Sequence, residues 1–268
     1  MDLIVTHNAG FFSCCSVKLH RIVEFINKHK KLPDTCDSSQ QFEYYKKTNS
    51  NRIKRDITYD YFKHYNTIEI KEEKYYPIDY NWDHQFINYS DVQYSNLNPL
   101  IKIYFSPSDD IKKIINNMEE KYNLKYENIC VLFYRGNDKV TETKLSSYES
   151  YLSFTKLILE KKPNTQFLLQ SDETEFLEFM TEKFPNNSFY FKDEIRHIRK
   201  NSNKTVDHLN FNNYEFSKKY LAITIIMSKC KYVICGSGNC SIWIMFFRKN
   251  NKNTCQFLNG SWYINLEI

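Results

Sequence analysis

The second half of the chain alternates between unbroken apolar runs and segments whose apolar residues recur at helical spacing. The runs predict buried strands at 129–134, 166–170, 188–191, 231–235 and 254–258. The periodic segments predict helices at 108–122, 147–161, 173–184 and 214–229, the first of them capped by Ser106. Strands that alternate with helices form a parallel sheet with right-handed crossovers. We therefore expect residues 105–268 to form a Rossmann-like domain with a doubly wound parallel sheet.

The first half of the chain is less regular. A strand is predicted at 3–6 and a helix at 16–30, which ends before Pro33. Residues 34–66 are polar and aromatic without a clear period, and short strands are predicted at 67–71 and 76–80. These patterns indicate a second, smaller α/β domain over residues 1–104.

The composition is that of an ordinary soluble globular protein, with 41% hydrophobic and 26% charged residues. No apolar run approaches the roughly 18 residues of a membrane-spanning helix, and the N-terminus does not read as a secretory signal. The net charge of +5 comes from lysines spread along the chain, which does not indicate a nucleic-acid partner. The eight cysteines include no C-x-x-C pair, so we expect reduced thiols, a cytoplasmic location and no zinc site. Cys14 and Cys15 are expected in a loop.

Glycine and polar residues follow three of the apolar runs. Gly10 comes after the first run, Arg135-Gly136-Asn137-Asp138-Lys139 after the run at 129–134, and Gly236-Ser237-Gly238-Asn239 after the run at 231–235. Ligands of parallel sheets bind beyond the carboxyl ends of the strands. Arginine has a planar fork of donors that suits phosphate oxygens, and glycine lets the backbone approach a ligand. We expect a shared ligand cleft, although tight turns alone also call for glycine.

A polar connection over 192–213 separates two predicted elements of the second half. Connections of this length inside a compact domain are uncommon and are often lids or binding loops. A mobile surface loop is the alternative.

Three segments resemble motifs of the fucosyltransferase superfamily, which includes α1,6- and α1,2-fucosyltransferases and protein O-fucosyltransferases. The first is Arg135-Gly136-Asn137-Asp138-Lys139-Val140, continuing through Glu142 to Tyr151. It is similar to an Arg-Arg-Thr-Asp-Lys-Val segment that runs on to a glutamate and a helix, with one residue deleted. The second is Phe167-Leu168-Leu169-Gln170-Ser171-Asp172-Glu173, and the third covers 231–241. A weaker similarity covers Asn8, Gly10 and the segment Lys18-Leu19-His20.

The resemblance implies a GT-B-like fold, in which two Rossmann-type domains face a cleft and residues 1–104 lie on the acceptor side. It implies transfer of a sugar from a nucleotide sugar, GDP-fucose in this family, to a glycan or other hydroxyl acceptor, with inversion and without a metal or cofactor. The implied catalytic residues are Glu142 as general base, Arg135 as diphosphate clamp and Lys139 as its charge-balancing neighbour. The implied donor-binding residues are Arg135, Asp138, Asp172, Ser237, Gly238, Asn239, Asn8 and Gly10.

Some interpretations stay open at this point. Arg135 has the spacing to pair with Asp138 across a turn, and Asp172 has the position of a cap for the helix at 173–184. In α1,6-type enzymes a histidine and an aspartate recognise guanine, and here Phe133 and Ile223 stand in their places. A different nucleotide-sugar donor, or a non-catalytic protein that binds glycans or nucleotides, is therefore an alternative. An RNA-binding protein is a third class, which predicts strongly salt-dependent affinity for nucleic acid.

Overall fold

The structure, a computed structural model, describes residues 1–46, 55–67, 77–209 and 212–268. Its first half begins with β1 (Asp2–His7), α1 (Phe11–His29) and β2 (Thr35–Gln41), and β1 and β2 pair in parallel. The helices α2 (Thr58–Tyr61) and α3 (Tyr94–Phe105) follow, and the described residues between them include short 3-10 turns. In the described residues this half is thus a single β–α–β unit followed by helices and turns.

Several expectations for the first half need correction. Helix α1 begins at Phe11 rather than at 16, so Cys14 and Cys15 lie on its buried face and not in a loop. Strand β2 forms where no period was visible in the sequence. The predicted strand at 67–71 lies outside the described residues except for position 67, and residues 77–80, the described part of the other, do not form a strand.

The second half contains a six-stranded sheet with alternating helices. Its elements are α4 (Asp109–Lys121), β3 (Ile129–Tyr134), α5 (Tyr148–Lys161), β4 (Gln166–Ser171), α6 (Thr174–Lys183), β5 (Ser188–Phe189), α7 (Asn213–Lys229), β6 (Tyr232–Gly236), α8 (Asn239–Arg248), β7 (Thr254–Leu258) and β8 (Ser261–Asn265). The strand order is β5-β4-β3-β6-β7-β8, with all pairs parallel except the last, β7 with β8. This is the Rossmann order 3-2-1-4-5-6, in which the direction of winding reverses between β3 and β6.

The five strands and four helices predicted for this half are confirmed within a few residues at each end. Strand β3 is buried along its whole length, as expected for a central parallel strand covered on both faces. The cap of α4 is Ser108, whose side chain accepts from the backbone N–H of Ile111, and not Ser106. The predicted α/β fold class with a doubly wound parallel sheet is therefore correct.

Helices α1 and α8 pack the two halves together. The indole N–H of Trp243 on α8 donates to Ser16 Oγ on α1 at 3.0 Å, and the Trp243 ring lies 4.6 Å from the ring of Phe105 at the end of α3. One hydrophobic cluster of buried side chains extends through both halves. The predicted domain boundary between 104 and 105 falls at the end of a helix inside this cluster, so the division into 1–104 and 105–268 stays a prediction.

All eight cysteines are free and buried. Burial raises the pKa of Cys15 and Cys130, which disfavours their reactive thiolate forms. Across the described ranges, no helix is both long and apolar enough to span a bilayer.

Candidate functional site

A cavity of about 410 Å³ lies at the carboxyl ends of β3, β4 and β6, where the winding of the sheet reverses. This is the position in which open α/β sheets bind their ligands. The predicted site residues that line it are Gly10, Arg135, Asp138, Lys139, Glu142, Asp172, Ser237, Gly238 and Asn239. Asn8 does not line it. The Asn8 side chain instead donates to the carbonyl of Gln40 at 3.1 Å and accepts from the backbone N–H of Glu43 at 3.0 Å.

Arg135 leaves the end of β3 and lies between two acidic side chains. Its Nε is 3.0 Å from Asp172 Oδ2, and its guanidinium donates to Asp138 Oδ1 at 3.1 Å. Burial alone would lower the pKa of Arg135, but the attraction of Asp172 and Asp138 outweighs it and raises the pKa above its ordinary value. Burial raises the pKa of Asp138, and the positive charge of Arg135 opposes part of that increase. The predicted pairing with Asp138 therefore forms, and it keeps a permanently charged guanidinium in the cavity wall.

Asp172 braces the turn that follows β3. Its Oδ1 accepts from the backbone N–H of Gly136 at 2.9 Å, while the Asn137 side chain donates to the Asp172 carbonyl at 2.7 Å. The residue at the start of α6 is Glu173, without a side-chain cap, so the alternative role of Asp172 as helix cap is wrong. A Cβ at position 136 would collide with the buried Glu173 carboxylate, which explains why glycine stands there.

Lys139 and Glu142 form the next pair along this turn. Lys139 Nζ donates to Glu142 Oε2 at 2.5 Å and lies 4.9 Å from the centre of the Phe86 ring. Burial lowers the pKa of Lys139, and Glu142 only partly offsets that effect. The Glu142 side chain is 47% exposed. A Cβ at Gly238 would lie 3.2 Å from Lys139 Cε, so the missing side chain lets the lysine reach the start of α8.

The N-termini of α1 and α8 both meet the cavity. Gly10 and Gly238 are the residues at which the two helices start, and neither helix has a side-chain cap. Uncapped first-turn N–H groups and the positive end of the helix dipole favour anions. Asn239 Oδ1 is buried without a hydrogen-bond partner in the described part of the chain. The Ser237 hydroxyl, by contrast, donates to the Phe257 carbonyl at 2.8 Å and holds the loop.

The polar connection at 192–213 forms one wall of the cavity through Arg196, Thr205, Val206, Asp207 and His208. The Tyr45 hydroxyl donates to Asp207 Oδ2 at 2.9 Å, which ties this connection to the first half of the chain. The backbone N–H of Asn201 donates to Asn137 Oδ1 at 2.9 Å, which ties it to the turn after β3. The described part of the connection is thus anchored at the cavity, as the prediction of a binding loop requires.

Several cavity residues were not predicted from the sequence, and four of them, Gln170, Gln85, Tyr44 and Trp82, matter for ligand binding. Gln170 and Gln85 are each 4% exposed, and the Oε1 atom of each lacks a hydrogen-bond partner among the described residues. Tyr44 and Trp82 are 55% and 46% exposed and line the same cavity. Of these four, only Gln170 had a signal in the sequence, because it is a polar residue at the end of the apolar run 166–170. Within the described ranges, no three His, Cys, Asp or Glu side chains come together in a group that would hold a metal ion.

No protein-family model matches the chain, and no curated protein matches it by sequence. Solved structures do match. The fucosyltransferase NodZ from Bradyrhizobium superimposes with a TM-score of 0.54 at 12% identity, covering 98% of each chain. NodZ α-1,6-fucosyltransferase co-crystallised with GDP gives 0.52 at 12% identity and 98% coverage of each chain. The same enzyme soaked with GDP-fucose gives 0.51 at 11% identity, covering 98% of this chain and 99% of that one. Over almost its whole length, the chain therefore has the fold of the fucosyltransferase NodZ.

Proposed function

We propose that the chain is a glycosyltransferase that moves a sugar from a nucleotide sugar to a hydroxyl acceptor. The observation that carries the proposal is the convergence of Arg135, Lys139, Glu142 and two uncapped helix N-termini in one cavity at the sheet's switch point. Two cationic side chains and two helix dipoles for a diphosphate, beside one accessible carboxylate, are what this reaction needs. The fold of NodZ, whose structures contain GDP or were soaked with GDP-fucose, supports GDP-fucose as the donor.

The proposed reaction is a single displacement with inversion. Glu142 takes the proton of the acceptor hydroxyl, whose oxygen forms a bond to the anomeric carbon while the bond from that carbon to the diphosphate oxygen breaks. The nucleoside diphosphate leaves with the electron pair. Arg135 and the N–H groups of α8 stabilise the charge that develops on it. These groups supply the stabilisation without a metal, so we expect a chelator to leave the rate unchanged.

The acceptor side is proposed to lie on residues 1–104. Tyr44 and Trp82 present exposed rings at the cavity, and Gln85 adds a buried carboxamide oxygen without a partner in the described structure. Exposed aromatic rings beside polar groups suit the apolar face and the hydroxyl groups of a sugar ring. This arrangement supports a glycan as acceptor. The eight free thiols support a cytoplasmic location.

A different sugar donor on the same scaffold is the second candidate. Phe133 and Ile223 are 2% and 1% exposed and have no polar group with which to recognise a base. Competition between GDP, UDP and ADP distinguishes the two candidates.

The proposed function is tested by Glu142→Gln. The amide cannot take a proton, so we expect turnover of GDP-fucose with a panel of oligosaccharides to fall by about 10²- to 10⁴-fold. The Kd for GDP, measured by calorimetry, should stay within about twofold because Arg135 and α8 are unchanged. Glu149→Gln is the matched control, since Glu149 is exposed on α5 and does not line the cavity.

Two results contradict the proposal. Full turnover in Glu142→Gln removes Glu142 as the base. Wild-type protein that binds GDP but never turns over any nucleotide sugar is a binding protein and not a transferase.

A further inference from the structure

Gln170 carries a polar group that the fold itself does not use. The residue is the next to last of β4, is 4% exposed and lines the cavity. Its Oε1 is buried, and none of the described residues donates a hydrogen bond to it. Leaving such an atom unpaired disfavours the folded state, so a ligand that donates a hydrogen bond to it gains affinity.

The residues in register with Gln170 on β3 and β6 are apolar. Gln170 pairs with Phe133 on β3, and Phe133 pairs in turn with Cys235 on β6. Side chains paired across adjacent strands point to the same face of the sheet. The carboxamide therefore stands beside a phenyl ring, on the face of the sheet that borders the cavity.

Gln170 lies on β4, on the other side of β3 from the start of α8, which follows β6. Arg135 follows β3, the strand between them. The cavity is also lined by Phe216 and Tyr220 of α7, whose rings are stacked with centres 6.1 Å apart and planes 14° apart. The guanidinium of Arg196 lies 3.9 Å from the centre of the Phe216 ring. Aromatic rings and a carboxamide in the wall of one cavity suit a planar heterocycle as ligand.

We propose that Gln170 recognises the base of the nucleotide donor and is a specificity-determining residue. Guanine presents the ring N1–H beside the O6 carbonyl. Oε1 of Gln170 accepts from N1–H, while Nε2 donates to O6, so both atoms of the carboxamide are satisfied at once. This inference rests on the proposed function, because it takes the ligand to be a nucleoside diphosphate.

Calorimetry with GDP, UDP, ADP and inorganic pyrophosphate tests the proposal on wild type and Gln170→Leu. A bidentate carboxamide–base pair is worth about 1–3 kcal/mol, so the variant should bind GDP about 5- to 150-fold more weakly. Pyrophosphate has no base and should bind both proteins equally. Gln41→Leu is the control, since Gln41 is also fully buried with an unpaired Oε1 among the described residues but lies outside the cavity wall.

A second variant tests which edge of the base faces residue 170. Gln170→Glu presents two acceptors, which match the N1–H and the 2-amino group of guanine. The wild type should bind GDP and inosine diphosphate within about twofold of each other, because Gln170 contacts atoms that both bases have. The glutamate variant should prefer GDP by about tenfold, since inosine diphosphate lacks the 2-amino group.

The outcomes distinguish a failure of the proposed donor site from a failure of the role proposed for Gln170. If wild type binds neither a nucleotide nor pyrophosphate, the proposed donor site is wrong. If wild type binds GDP and Gln170→Leu weakens GDP no more than pyrophosphate, the role of Gln170 is wrong while the donor site stands. A Gln170-dependent preference for UDP or ADP overturns the assignment to guanine.

Discussion

Lys139 carries its charge where burial disfavours it. Its side chain is 8% exposed, and the lowered pKa reflects the loss of water around the ammonium group. Glu142 offsets part of that loss, but its own side chain is half-exposed to solvent, which weakens the attraction between the two charges. A lysine kept at such a cost in a cavity is typical of a residue that is retained for binding or catalysis rather than for stability.

Lys139→Met should therefore stabilise the protein and impair the reaction. The thioether fills the space beside Phe86 without a buried charge, and we expect the free energy of unfolding at neutral pH to rise by about 1 kcal/mol. The difference from wild type should shrink as the pH rises through the lowered pKa of Lys139 towards 10.5, because the wild-type lysine then loses its proton in the folded state. Thermal unfolding between pH 7 and pH 10 measures this, and a less stable variant at pH 7 would contradict it.

Residues within recognisable segments could be assigned to the cavity from sequence. Arg135, Lys139 and Glu142 follow one apolar run in one turn, so their proximity needed no knowledge of the rest of the fold. Gln85 and Trp82 could not be found, because they reach the cavity from a distant part of the chain. Asn8 is the opposite case. It is close to the site along the chain, but its side chain forms hydrogen bonds with backbone groups of Gln40 and Glu43 and does not line the cavity.

At the scale of elements, the helices and strands that were predicted correctly are those with a clear hydrophobic pattern in the sequence. Strands such as β3 and β7 are buried along their lengths and were visible as apolar runs. Strand β2 was missed because its inward positions include Ser38 and Gln41, so burial there leaves no apolar trace. Helix α3 was missed because it contains Pro99, which normally ends a helix pattern. Strand β8 is largely exposed and antiparallel, and it has no parallel-sheet signature.

The connection at 192–213 is tied to the first half of the chain through the hydrogen bond from Tyr45 to Asp207, which makes its role testable. Tyr45→Phe removes the hydrogen bond to Asp207 and should weaken GDP binding about two- to tenfold, in line with the roughly 0.5–1.5 kcal/mol of one hydrogen bond. Cleavage within the connection during limited proteolysis should become faster. Tyr263→Phe is the control, because Tyr263 is exposed on β8 and distant from the cavity wall. An unchanged Kd with unchanged proteolysis would remove this connection from the binding site.

For the whole molecule, the shared core predicts cooperative unfolding. The hydrophobic cluster continues from β1 and α1 through α8 into the large sheet, so neither half has a separate core in the described structure. Both walls of the cavity depend on that packing. A ligand in the cavity should therefore stabilise the two halves together.

GDP at about 100 times its Kd should raise the stability by about 2.7 kcal/mol, which corresponds to a Tm increase of roughly 5–10 °C. Calorimetry should show one transition with and without the ligand. Arg135→Lys keeps the charge but loses the planar fork, so the same GDP concentration should raise its Tm less. Two transitions, only one of which moves with GDP, would show instead that the halves unfold separately.

The walls of the cavity come from different stretches of the chain, and this division affects how such a protein can diversify. The groups proposed for the donor belong to the large sheet, its loops and the start of α1, whereas Tyr44, Trp82 and Gln85 lie between β2 and α3. Insertions, deletions or grafted segments between β2 and α3 would alter the choice of acceptor and leave the donor side intact. The two specificities can thus drift at different rates, and a chimaera could inherit each from a different parent.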